Sequence, residues 1–84
     1  MTPLRERCLA FVERRPPPDL DYVPDSIAER ILRLTAAGEE LDGEMKELLE
    51  ICLMETQASA ARFEGEARAY LLASAELLEE ISGG

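Results

Sequence analysis

Any chemistry in this chain must come from carboxylates and thiols, because its 84 residues hold eighteen Asp and Glu, two Cys and no His. The glutamates form two ladders at helical spacing, Glu40, Glu44 and Glu47 in one and Glu76, Glu79 and Glu80 in the other. Carboxylates on facing helices can hold a pair of irons, but such sites add a Glu-x-x-His motif from neighbouring helices. Without histidine the commonest metal ligand and the usual general base are both missing. Most of these glutamates also lie opposite the apolar stripe of their segment, which predicts a solvated face. Asp19-Leu20-Asp21 lacks the glycine and the terminal glutamate of a calcium loop.

Cys8 and Cys52 have no motif spacing. A nucleophilic thiol needs a neighbouring base or an electropositive setting, and the charged neighbours of Cys8 offer Arg5 and Arg7 but no base. Both cysteines fall on apolar helical faces and are expected to be reduced core thiols. No glycine-rich phosphate loop is present. The chain is therefore expected to be no enzyme and to carry no metal and no cofactor.

Charge is the next constraint. The formal net charge is −9. Residues 1–15 carry four arginines against two glutamates, a balance of +2, which leaves −11 on residues 16–84. An acidic body repels nucleic-acid phosphates and anionic lipid, so neither nucleic acid nor membrane is an expected partner. The charge either steers the protein toward a basic partner or keeps a sticky helical surface soluble. No run approaches the ~20 apolar residues of a membrane span. In residues 1–15 the charges are interleaved with apolar residues, unlike a secretory signal, and a cytoplasmic location is expected.

The elements that must position these residues are helical. Thr2-Pro3 can open a helix over residues 3–14, with Leu4, Cys8, Phe11 and Val12 on one face. Residues 16–24, beginning with three consecutive prolines, read as a linker with an extended polyproline path. Ser26 and Glu29 form a capping box before a second helix over residues 27–37, and Gly38 is its stop. Asp42 is a suitable N-cap for a third helix starting at Gly43.

From Gly43 to Ile81 there is no proline and one interior glycine, Gly65. Apolar or small residues recur at steps of three and four, at Met45, Leu49, Cys52, Thr56, Ser59, Phe63, Ala67, Tyr70, Ser74, Leu77 and Ile81. Arg62 with Glu66 and Glu64 with Arg68 have the spacing of stabilising ion pairs. The pattern predicts one long helix over residues 43–81, about 57 Å at the rise of about 1.5 Å per residue. The rival is a break near residues 57–60, which would give a helical hairpin and four helices.

The fold class expected is thus all-α, a single helical domain of two short N-terminal helices and one long C-terminal helix (or a helical hairpin), a bundle completed by dimerisation. Leu48-Leu49-Glu50-Ile51-Cys52-Leu53-Met54, with six apolar residues in seven, covers most of a helix circumference and is expected to be buried on several sides. A long helix would overhang a compact body of about 12 Å radius of gyration and leave Phe63, Tyr70 and Leu77 needing cover. Leu48, Leu49, Cys52, Leu53, Met54, Phe63, Tyr70 and Leu77 are accordingly the candidate interface residues. Two functions are consistent with this pattern. One is a homodimeric adaptor, chaperone-like or assembly subunit that binds another protein through apolar helix faces. The other is an acidic inhibitor or mimic that occupies a basic or nucleic-acid-binding site on its partner.

Overall fold

The computed structural model describes residues 3–14 and 27–83. All regular structure among them is helical: α1 (Leu4–Glu13), α2 (Ile27–Ala36), α3 (Gly43–Ala60) and α4 (Gly65–Gly83). The expected linker over residues 16–24 and the Ser26 half of the capping box lie outside the described residues, as does Thr2. Pro3 occupies the N-cap position of α1, with φ −58° and ψ 149° and no side-chain cap.

The end of α2 is a Schellman motif. Glu39 N–H donates to Leu34 C=O and Gly38 N–H to Thr35 C=O, both at 3.0 Å, with Gly38 at φ +78°. Arg5 reaches across from α1 and donates from Nε to Ala36 C=O at 3.1 Å. The start of α3 is closed by Asp42, whose carboxylate accepts from Met45 N–H at 2.8 Å.

The single long helix expected over residues 43–81 does not form. The chain reverses between Ala60 and Gly65, a few residues beyond the rival break, and α3 and α4 make a helical hairpin. Arg62 N–H donates to Ser59 C=O at 2.9 Å as the last turn of α3 tightens. Gly65 then takes φ +65°, a left-handed conformation that side-chain-bearing residues adopt at a cost. Neither Arg62–Glu66 nor Glu64–Arg68 is an ion pair among the described residues. Arg68 instead donates from Nε to Ala60 C=O at 3.1 Å, satisfying a terminal carbonyl of a helix that has no basic residue in its own last turn. A cation at that negative end of the dipole is favourable.

The four helices alternate in direction. Arg7 of α1 meets Glu80 of α4, while Arg14 at the other end of α1 stacks over Tyr70 with its guanidinium carbon 5.6 Å from the ring centroid. Each helix packs on the next, α1 packs also on α4, and α2 crosses to α4, whereas the backbones of α1 and α3 do not pack on one another. The segment 48–54 is therefore flanked by α2 and α4 and not by α1. Ile31, Leu32, Leu78 and Cys8 are the largest fully buried side chains. Phe11 and Tyr70 stack beside them with centroids 4.7 Å apart. The radius of gyration is 12.1 Å, the size of a compact body of this length and not of one with a projecting helix.

Candidate functional site

The hairpin redistributes the expected interface residues. Leu49, Cys52, Tyr70 and Leu77 are core residues of the chain itself. Leu53 is half-buried and packs on that core, and Leu48 and Phe63 are half-buried as well. Met54 alone among the eight is well exposed, at 70%. Ile51, which belongs to the same apolar run, is 53% exposed. Ile51 and Met54 stand one turn apart on the outer face of α3, with Ala58 one turn beyond Met54. Leu72, also about half exposed, lies on the side of α4 away from its buried stripe.

A second surface is built at the end of the bundle where α2 and α4 finish and α1 and α3 begin. Leu4, Leu41, Leu49 and Ile81 supply apolar lining to an open groove there, and Glu39, Glu40, Glu50 and Glu80 supply its carboxylates, with Lys46 beside them. An adjoining cleft shares Leu4 and Glu80 and adds Glu76 and Glu79. The turn after α2 and the hairpin thus bring parts of both glutamate ladders to one place. Glu44 and Glu47 are exposed and line neither opening.

Among the described residues, Glu80 is the carboxylate of this surface that forms an ion pair. Arg7 Nη1 and Nη2 each donate to one of its oxygens at 2.6 Å. These hydrogen bonds hold the Glu80 carboxyl below the usual carboxylate range, against a smaller opposing effect of desolvation. Arg7 Nε is shielded from solvent and has no hydrogen-bond partner, so the guanidinium is committed to Glu80 through its two terminal amines.

The thiols do not form a reactive site. Cys8 is fully buried and Cys52 nearly so, and both are unpaired. Burial pushes both thiols above their ordinary value, with Arg7 opposing the rise at Cys8 and Glu55 adding to it at Cys52. Among the described residues no group of three or more Cys, Asp or Glu converges on a geometry that could hold a metal ion. No helix of the described residues is long and apolar enough to cross a membrane.

The sequence reading left Ile51 out of the candidate residues, and its 53% exposure follows from which side of α3 the other helices cover, which spacing along one helix does not show. The same reading missed the groove because Leu4, Leu41 and Ile81 are far apart in sequence. No known protein family, curated protein or solved structure matches the chain.

Proposed function

We propose that this protein is a non-enzymatic interaction module that seats another protein on the outer face of α3. The observation that carries the reading is the pair Ile51 and Met54, exposed by 53% and 70% on one helix face while the rest of the apolar stripe is covered. Adjacent exposed apolar side chains on a rigid helix are a preferred anchor for a partner, and methionine adapts to the shape it meets. Glu47, Glu50 and Glu55 surround the pair at one-turn spacing and would form the polar rim of an interface.

The case for a homodimer changes with the fold. It rested on a helix whose apolar residues had no cover, and Tyr70 and Leu77 are covered within the chain. Self-association through Ile51 and Met54 stays open as one form of the proposal, and the same experiment decides it. Ile51→Asp with Met54→Asp changes solvent-facing positions, so the helical circular dichroism should be retained. The solution mass by light scattering and the retention of a stoichiometric partner from source-cell extract are then compared in high salt. Burying two such side chains contributes enough to make the double variant bind about a hundredfold more weakly. Loss of a salt-resistant partner or of a dimer supports the proposal. A monomer that holds no partner in high salt overturns it, and a complex that forms only at low salt returns the reading to the acidic inhibitor.

A further inference from the structure

We infer that the groove at the α2–α4 end is a second docking surface, fitted to a basic amphipathic segment of a partner protein. The inference rests on the reading of the chain as an interaction module, but its apolar lining is a different one, and only Glu50 borders both surfaces.

Three observations support it. The groove has an apolar lining, Leu4, Leu41 and Ile81, that is half-buried and continuous with the core through Leu49. Its walls and those of the adjoining cleft carry Glu39, Glu40, Glu50, Glu76, Glu79 and Glu80, with Lys46 the one basic residue lining either opening. Glu39 and Glu40 follow the C-terminus of α2, and Glu79 and Glu80 stand near that of α4, which has no basic residue in its last turn. Carboxylates at these positions oppose the helix dipoles. The opposing positive end of α3 is already met by Asp42. Arg5 already meets the last carbonyl of α2 at Ala36 and Arg7 meets Glu80, so a cation delivered from outside would relieve the repulsion that remains at Glu39, Glu40 and Glu79.

An apolar surface bordered by carboxylates matches side chains of one kind, alkyl groups flanked by Lys or Arg. The long stems of those residues can lie on Leu41 and Ile81 while the charged heads reach the glutamates. A second copy does not fit this requirement. It brings a net charge of −9, and like charges on the two copies repel across a carboxylate-walled groove.

The test uses the full chain and a synthetic helical peptide of leucines flanked by lysines, followed by fluorescence anisotropy. Two control peptides replace every lysine by glutamate or every leucine by serine. Two triple variants remove the same charge at different places. Glu39→Gln, Glu40→Gln and Glu79→Gln together should weaken binding about tenfold, three modest ion contacts being lost. Glu55→Gln, Glu64→Gln and Glu66→Gln together should change it by less than about twofold. The serine peptide should bind more weakly than the leucine peptide, and the glutamate peptide should not bind. Equal weakening by the two triples, equal binding of the serine and leucine peptides, or no binding of the lysine peptide overturns the inference. An Ile51→Ser, Met54→Ser variant, which removes the exposed apolar pair without adding charge, should bind the peptide as wild type does. If it does not, the peptide sits on α3, which overturns the groove and supports the first surface.

Discussion

Replacing Gly65 with alanine separates the hairpin from a continuous helix by the sign of its effect. In the hairpin, Gly65 holds φ +65°. A Cβ placed there meets nothing within 4 Å, so the substitution causes no clash and its cost is purely conformational. An L residue in the left-handed region pays about 1–2 kcal/mol, and the open surroundings put Gly65→Ala at the lower end, about 1 kcal/mol destabilising. In a continuous helix, glycine would be the misfit, and the same substitution would stabilise by about 0.8–1 kcal/mol. Unfolding entropy scales to about 0.18 kcal/mol/K for 84 residues, so about 1 kcal/mol moves Tm by about 6 °C. Thermal melts followed by circular dichroism should therefore show Gly65→Ala about 6 °C below wild type. A chemically synthesised chain with D-alanine at 65 should melt at or above wild type, because a D residue prefers positive φ and narrows the unfolded ensemble. A rise in Tm with L-alanine would refute the hairpin.

Two further outcomes concern the ionisable groups. Because Arg7 holds Glu80 below its ordinary value, the stability from this pair is present at neutral pH and is lost as pH falls through the lowered value. The Tm difference between wild type and Glu80→Gln should thus shrink as pH falls from about 5 to about 3, and a difference that grows on acidification would contradict the assignment. Cys8 and Cys52 are buried with their thiols raised, so a disulfide reagent at pH 7 should label neither in the native state and both in guanidinium. Rapid native labelling of either would show that its helix face is open.

How much of this was legible in the sequence differs by element. The helical class was readable because apolar spacing of three and four, the glycine stop at Gly38 and the Asp42 cap are local signals. They act over a single turn. The reversal near residues 61–64 was not, because Ala58, Ser59, Ala60 and Ala61 are all tolerated in a helix. Gly65 was the available clue. What decides the turn is a non-local balance. Folding α4 back onto the bundle buries Ala67, Tyr70 and Leu78, with Tyr70 against Phe11 of α1, and Arg68 caps the carbonyl end that the break exposes.

The two candidate surfaces divide in the same way. By itself the sequence determined an acidic, helix-forming chain without histidine, with a concentrated apolar run at residues 48–54. Those properties belong to composition and to spacing along one helix. Which members of that run face water, and that Glu39 and Glu40 line one groove with Glu80, was decided only by the tertiary structure. Exposure and proximity depend on which helices pack together, and the hairpin sets that pairing through contacts between residues far apart in the chain.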